Sequence, residues 1–148
     1  MKDDSTQATR QAMRLYIVLT RTYKTLLDMD MRNIRSYGLN TTEFGVLEFL
    51  YNKGPHPLQQ IGDRILITSG TITYVIDKLE KKGLVVRRPS DEDRRIVYAE
   101  ITEAGQSKIS EILPNHYKAF VEALEGLNPA EKEQTIELLK KISFHAHK

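Results

Sequence analysis

The stretch from Thr68 to Thr102 constrains the fold most, because a strong helical pattern in it passes directly into a strand pattern. Its first half repeats apolar residues at the i, i+3, i+4, i+7 spacing of a helix with one buried face. These residues are Ile72, Val75, Ile76 and Leu79. The opposite face is small, polar and partly basic, and Gly83 is placed to end the helix in the left-handed conformation.

The second half of the stretch predicts a hairpin. Strands are expected at 84–88 and 96–101, and the polar loop between them begins with Pro89 and ends with Arg94 and Arg95. In the second strand apolar residues alternate, which is typical of a ribbon with one face packed inward. A helix followed by a basic-tipped hairpin suggests one element for the major groove of DNA and another for the minor groove.

The rest of the chain predicts further helices. A short helix at 58–65 and a tight connection precede the central helix, which is helix-turn-helix order, and the hairpin makes the arrangement winged. A possible capping box, Asn40 with Glu43, opens a helix before these, and Asn128 with Pro129 opens the last helix. The other predicted helices cover residues 6–37, 40–54, 102–126 and 128 onward.

We therefore predict a mainly α fold with a small β wing, in which long terminal dimerisation helices flank a winged helix-turn-helix domain. Residues 38–101 form the predicted DNA-binding domain, and residues 1–37 and 102–148 the dimerisation helices. The first helix is longer than is usual within one globular domain. Apolar stripes on the terminal helices that the central domain cannot cover are most simply buried against a second copy, so we expect a two-fold homodimer.

Composition excludes several other classes of protein. The absence of cysteine rules out disulfides and thiolate metal sites, and the net charge of +2 makes no case for nucleic acid by itself. No signal peptide or apolar run of membrane-spanning length occurs, so we expect a cytoplasmic protein with no membrane partner. No phosphate loop, nucleophile elbow or metalloprotease motif is present, so no enzyme and no cofactor are expected. The four histidines have no ligand spacing, so no metal is expected.

The spaced residues of the central stretch resemble the MarR family of winged helix-turn-helix transcriptional regulators. The resemblance implies an obligate homodimer that binds a pseudo-palindromic operator near its own promoter, usually represses it, and is commonly released by a small aromatic or phenolic effector. Tyr74 departs from the pattern, since many members carry arginine there. The matching residues are Gly70 to Thr73, Asp77 to Val85, Arg87, Asp91, Asp93 to Arg95, Ile101, Thr102 and Gly105.

Hydroxyl-bearing residues dominate the predicted DNA-reading face of the central helix. Thr68 and Ser69 can cap the helix or donate to phosphate, while Gly70 lets the backbone approach the groove. The alternative, that Thr68 and Ser69 only cap and Tyr74 only packs, stays open. Without an arginine for guanine, base reading is expected to favour AT-rich sequence. The residues predicted to reach base edges are Thr71, Thr73 and Tyr74, and those predicted to contact phosphate are Lys78 and Lys81.

The charge order at the hairpin tip suggests a minor-groove contact. A guanidinium fits a narrow, negative, AT-rich minor groove, and a nearby carboxylate can orient it. We predict that Arg95 is inserted and held by Asp93, with Arg94 on a flanking phosphate, although the two arginines are interchangeable at this stage. Arg87 and Arg88 can equally be phosphate contacts or strand-edge charges.

An effector pocket is predicted between the first helix and the central domain, because small-molecule sites are usually apolar crevices with few polar groups. Aromatic, methionine and histidine side chains at helical spacing are also frequent core residues, which is the alternative here. Other hypotheses are a winged-helix protein-interaction module without DNA binding, and a metal-dependent regulator that uses His116 or the terminal histidines. The candidate pocket residues are Tyr16, Tyr23, Met29, Met31, Phe44 and His56.

Overall fold

The computed structural model describes residues 4–65 and 69–147. Within these residues the chain is mainly helical with one small antiparallel sheet, so the predicted fold class is confirmed. The elements in order are α1 (Asp4–Arg35), α2 (Thr41–Lys53), β1 (His56–Pro57), α3 (Leu58–Arg64), α4 (Ser69–Lys81), β2 (Val85–Pro89), β3 (Val97–Ile101), α5 (Glu103–Ala123) and α6 (Pro129–Ala146).

Capping boxes open two of the helices, as their sequences predict. At the start of α2, the amide of Glu43 donates to Asn40 Oδ1 at 2.8 Å, and the amide of Asn40 donates to Glu43 Oε1 at 3.1 Å. Asn128 and Glu131 repeat the arrangement before α6, with Pro129 in its first turn. Each box satisfies two backbone groups that the helix cannot, which sets where the helix begins.

The end of α4 is a Schellman motif. Gly83 has a φ of 75°, which other residues rarely adopt. The amide of Leu84 donates to the carbonyl of Leu79 at 3.0 Å, and the amide of Gly83 donates to that of Glu80 at 2.9 Å. The chain therefore turns from α4 into the first strand of the hairpin with its terminal carbonyls satisfied.

The sheet has the order β1-β3-β2, and both strand pairs are antiparallel. The predicted hairpin is present, with Val85 opposite Ile101 and Pro89 opposite Val97. Strand β1 was not predicted: His56 lies opposite Ala99, and residue 57 opposite residue 98. The wing comprises β2, β3 and the loop at 90–96. Strand β1 pairs with the outer edge of β3 and so attaches the wing to the rest of the domain.

The hydrophobic core joins α2, α3, α4 and the base of the wing. The predicted inner face of α4 is buried, and Val85 and Ala99 bring the two wing strands into the same cluster. The buried α4 side chains are Ile72, Val75, Ile76 and Leu79. Because α4 and the wing rest on one close-packed core, the polar face of α4 and the wing tip share one support.

The chain separates into two compact units after Pro114. In the first unit, α1 exposes large apolar side chains along its N-terminal half, and in the second unit none of the described residues of α6 is buried. Within one chain Leu138, Leu139 and Ile142 of α6 are 53%, 43% and 40% exposed. No helix in the described parts of the chain has both the length and the apolar character needed to span a bilayer.

Candidate DNA-binding surface

Helix α4 presents the predicted polar face to solvent. Gly70, Thr71, Thr73, Tyr74 and Lys81 are exposed along this face, while the apolar residues between them are buried. Thr68 and the side chain of Ser69, for which capping and phosphate contacts are predicted, lie outside the described residues. The exposed side-chain groups are hydroxyls, one ammonium and the carboxylate of Asp77, and of these the hydroxyls and the ammonium can contact base edges and phosphates.

Tyr74 and Lys78 form a pair on this face. Tyr74 is 59% exposed, and Lys78 Nζ lies 4.8 Å from the centroid of its ring, one helical turn away. A hydrogen bond that the Lys78 ammonium donates to the Tyr74 side chain, followed by the electrostatic influence of Tyr74, raises the pKa of Lys78. The exposed ring favours the predicted reading role of Tyr74 over packing, and the ammonium is held beside the same surface.

At the wing tip, Asp93 orients Arg95 through three hydrogen bonds. Arg95 Nε donates to Asp93 Oδ1 at 3.1 Å, Arg95 Nη2 donates to Asp93 Oδ2 at 3.0 Å, and the Arg95 amide donates to Oδ1 at 3.0 Å. The Arg95 side chain is nevertheless 90% exposed. The side-chain hydrogen bonds, followed by the backbone one, lower the pKa of Asp93. A bidentate pair of this kind sets the direction of a guanidinium that still faces solvent.

The loop that carries Arg94 and Arg95 is closed by its own backbone. The amide of Ser90 donates to the carbonyl of Ile96 at 2.9 Å, and the amide of Ile96 donates to that of Asp93 at 3.0 Å. The Ser90 hydroxyl accepts from the Asp93 amide at 3.4 Å. Arg94 is exposed. The tip is thus a compact turn with both arginines on its surface.

Arg87 requires a correction to the predicted DNA contacts. Its Nη2 lies 2.6 Å from Asp77 Oδ1 and donates to the carbonyl of Thr73 at 3.2 Å, and its Nη1 is paired with Glu80 Oε1. Burial lowers the pKa of Arg87, but hydrogen bonds and charges of Asp77 and Glu80 outweigh it and raise the pKa overall. A guanidinium engaged by three acceptors of its own chain is not available to phosphate in this conformation.

A further ion pair, which the sequence analysis missed, joins the residue after α4 to the first turn of α2. Lys82 Nζ lies 2.6 Å from Glu43 Oε2 and donates to the carbonyl of Gly38 at 3.3 Å. The Glu43 side chain is only 5% exposed. Its capping box gave a local signal for Glu43, but nothing near it in sequence points to a lysine 39 residues away.

The six candidate pocket residues are not brought together within one chain. Tyr16 and Tyr23 are exposed on α1, and Met31 lies about 22 Å from Tyr16 along that helix at 1.5 Å per residue. Phe44 is a core residue, 4% exposed, so it offers a ligand almost no surface. The last aromatic candidate, His56, packs edge-on against Phe49 with ring centroids 4.9 Å apart.

Met29, like Met31, is half-buried on α1. Among the residues that the structure describes, no three histidine, aspartate or glutamate side chains gather as metal ligands. The polar face of α4 and the arginines of the wing tip therefore remain the candidate functional surface.

Known proteins resemble this chain over most of its length. Residues 39–97 match the model of the MarR family. The HTH-type transcriptional regulator MhqR of Bacillus subtilis (strain 168) is 46% identical over 93% of this chain and 95% of its own length. YkoM of the same organism, also named an HTH-type transcriptional regulator, is 46% identical over 92% of this chain and 88% of its own.

A solved structure of BpsR from Bordetella bronchiseptica, whose DNA binding is regulated by 6-hydroxynicotinic acid, is 28% identical. It superposes with a TM-score of 0.76 over 85% of this chain and 90% of its own.

Proposed function

Because this chain belongs to the MarR family of transcriptional regulators, we propose that it is a homodimeric repressor, released from its operator by a small aromatic or phenolic compound. It is a DNA-binding regulator and not an enzyme, as its membership of this family and its relatives, which are named HTH-type transcriptional regulators, indicate. The repression, the dimer and the release are the proposed part. The observation that carries the proposal is the pairing of an exposed polar face on α4 with an exposed, oriented arginine at the wing tip.

The two elements have different tasks in the proposed complex. Thr71, Thr73 and Tyr74 reach base edges in the major groove, where threonine methyls contact thymine and hydroxyls bond to several bases. Lys78 and Lys81 neutralise phosphates. Arg95 enters an adjacent minor groove, with Arg94 on the flanking phosphate, and narrow AT-rich grooves attract it most strongly. Binding of this kind favours AT-rich operators.

The proposed dimer buries the apolar side chains that one chain leaves exposed. On α1, Val18 is 55% exposed, and on α6, Leu138 is 53% and Leu139 43% exposed. Isolated chains rarely keep such continuous apolar helix faces in water. Residues 1–37 and 102–148 then form the dimer interface and set the spacing of the two half-sites, while 38–101 bind DNA.

The aromatic class of the effector is supported by BpsR, a 28% identical protein regulated by 6-hydroxynicotinic acid. Tyr16, Tyr23, Met29, Met31 and His56 stay candidates to contact such a ligand in the dimer, but Phe44 does not. A ligand releases DNA only by binding the released conformation better than the DNA-bound one. Equilibrium dialysis with aromatic acids and phenols, with and without operator, tests this difference directly.

DNA binding by the wing is tested with Arg95→Ala and Arg94→Ala on the duplex that the wild-type chain enriches most from a random pool. Arg95→Ala is expected to lower affinity about tenfold and to relax the A·T preference at the minor-groove steps. Arg94→Ala is expected to reduce the slope of log K against log salt by about 1 without changing base preference. Lys118→Ala, which removes an exposed charge of α5, is the matched control.

Two results would contradict the proposal. Unchanged affinity and salt slope in both arginine variants would remove the wing from DNA binding. No retention of the wild-type chain on any duplex at low salt would favour a protein-interaction module instead. The dimer is tested separately by sedimentation, in which Leu139→Glu is expected to convert a species of twice the chain mass into monomer.

A further inference from the structure

We propose that Arg87 is a positioning residue that holds the wing at a fixed distance and angle from α4, so that both DNA-binding elements meet their grooves together. The proposal rests on the proposed DNA-binding function and concerns a residue that does not itself touch DNA. The Arg87 cluster comprises Arg87, the carboxylates of Asp77 and Glu80, and the main-chain carbonyl of Thr73.

The geometry of the Arg87 cluster links two elements at several points. Arg87 Nη2 lies 2.6 Å from Asp77 Oδ1 and donates to the Thr73 carbonyl at 3.2 Å, while its Nη1 pairs with Glu80. The Arg87 amide also donates to Glu80 Oε2 at 3.3 Å. Both the side chain and the backbone of one strand residue are therefore fixed to the helix.

The acceptors lie along one side of α4. Thr73, Asp77 and Glu80 follow the i, i+4, i+7 spacing, so acceptors from nearly two turns of α4 converge on one guanidinium. Arg87 is the middle residue of β2 and lies opposite Ala99 of β3, which is fully buried. A planar fork with several bonds restrains orientation as well as distance, which a single point charge cannot do. The cluster thus restrains rotation of the wing about its base.

Electrostatics separates positioning from a direct phosphate contact. Asp77 is half-exposed on the helix that reads DNA, and an unpaired carboxylate there repels phosphate. If Arg87 left the cluster for a phosphate, Asp77 and Glu80 would both lose their cation. Retaining the pair neutralises these carboxylates and keeps the wing in place, so the free and DNA-bound conformations share the same contacts.

The sharpest test is Asp77→Asn, because positioning by Arg87 and a direct phosphate contact by Arg87 predict opposite changes in DNA affinity. Loss of a carboxylate beside DNA raises affinity if Arg87 is freed to bind phosphate. Loss of the restraint lowers affinity, by about threefold to tenfold for one member of a coupled network. Asp91→Asn is the matched control, since it removes an exposed carboxylate of the wing loop outside the cluster and is expected to tighten binding slightly.

Arg87→Gln and Arg87→Lys complete the experiment on the duplex enriched by the wild-type chain. Arg87→Gln is expected to weaken binding and to flatten the A·T preference at the steps that Arg95 contacts, while the wing residues themselves remain present. Arg87→Lys, which keeps the charge, is expected to restore affinity only in part. Arg88→Gln removes the same charge from the same strand outside the cluster and measures the contribution of charge alone.

The outcomes are distinguishable. Positioning is supported if Asp77→Asn binds DNA more weakly than the wild-type chain. It is supported further if the double variant, Asp77→Asn with Arg87→Gln, binds DNA as well as Arg87→Gln alone. Tighter binding by Asp77→Asn, or an unchanged A·T preference in Arg87→Gln, overturns it. Asp77→Asn is isosteric and half-exposed, so it tests the proposal even if Arg87→Gln fails to fold, as circular dichroism would reveal. Absence of DNA binding by the wild-type chain would instead overturn the proposed function.

Discussion

Gly105→Ala is expected to destabilise the fold strongly, because the added methyl group meets the backbone of a neighbouring segment. Gly105 lies in the first turn of α5 and packs against Leu84, three residues beyond the end of α4. An alanine Cβ there would overlap the Leu84 carbonyl oxygen and lie 2.7 Å from Ile101 Cγ1. Real Cβ contacts essentially never fall below 3.0 Å. The backbone of Leu84 or the start of α5 must therefore move.

The backbone has little freedom to move at this point. The Leu84 carbonyl accepts from the Thr102 amide at 3.0 Å, and the Thr102 hydroxyl donates to the Gly83 carbonyl at 2.7 Å while accepting from the Gly105 amide at 3.0 Å. Overpacking in a close-packed site costs about 1–3 kcal/mol. A strained hydrogen bond costs about 1 kcal/mol more, and the better helix propensity of alanine returns a similar amount.

We therefore expect Gly105→Ala to lower the free energy of unfolding by about 3 kcal/mol, at the upper end of the range because the overlap is with backbone. The measurement is urea unfolding followed by circular dichroism at one fixed protein concentration, since the proposed dimer would make stability concentration-dependent. Gly45→Ala is the matched control: it lies within α2, its Cβ would meet Ile65 at an ordinary 4.0 Å, and it is expected to stabilise by about 0.5–1 kcal/mol. A loss below about 1 kcal/mol for Gly105→Ala would refute the steric reasoning.

Three further outcomes follow from local contacts. Lys82→Met leaves the buried Glu43 carboxylate without its cation and is expected to cost about 1–3 kcal/mol, part of which a second change, Glu43→Gln, recovers in urea unfolding. The pKa of Asp93 is lowered by Arg95, so the stability from this pair is present above the ordinary value of 3.8 and is lost as pH falls through the lower folded value. In nuclear magnetic resonance, the carbon chemical shift of the Asp93 carboxyl group should accordingly be constant from about pH 8 to about pH 5 and change only at lower pH. Gly83→Ala places a side chain at a φ of 75° and is expected to lower unfolding free energy by about 1 kcal/mol, unlike the same change at Gly45.

Features encoded within a few residues were predictable from the sequence. The capping boxes at Asn40 and Asn128 and the left-handed Gly83 depend on neighbours in the chain, as does the hydrogen-bonded pair of Asp93 and Arg95. The buried face of α4 follows from its helical period. In each case the partner lies within about one helical turn, so the local sequence contains the whole interaction.

Features that depend on distant residues were not predictable. Strand β1 is only two residues long and is defined by its pairing with β3, so His56 carries no period-two pattern of its own. The Glu43 and Lys82 pair joins residues 39 positions apart. Arg87 was assigned to phosphate or to the strand edge because the sequence could not show that α4 places Asp77 and Glu80 beside it. Phe44 was a pocket candidate because an apolar residue at helical spacing fits a core and a crevice equally.

Helix α4, strand β2 and helix α5 meet at Leu84. The Schellman motif leads from α4 into β2, and the Thr102 hydrogen bonds and the close approach of Gly105 connect the start of α5 to the same point. Because α4 is fixed at this end, a rotation about Leu84 displaces its other end in proportion to the length of the helix. Helix α4 has 13 residues and so extends about 20 Å from this pivot. A rotation of about 5° at Leu84 would displace the far end, near Gly70, by about 1.7 Å. That displacement exceeds the tolerance of a hydrogen bond, so in the proposed DNA complex a small tilt of α5 at its first turn would be enough to break contacts between α4 and base edges.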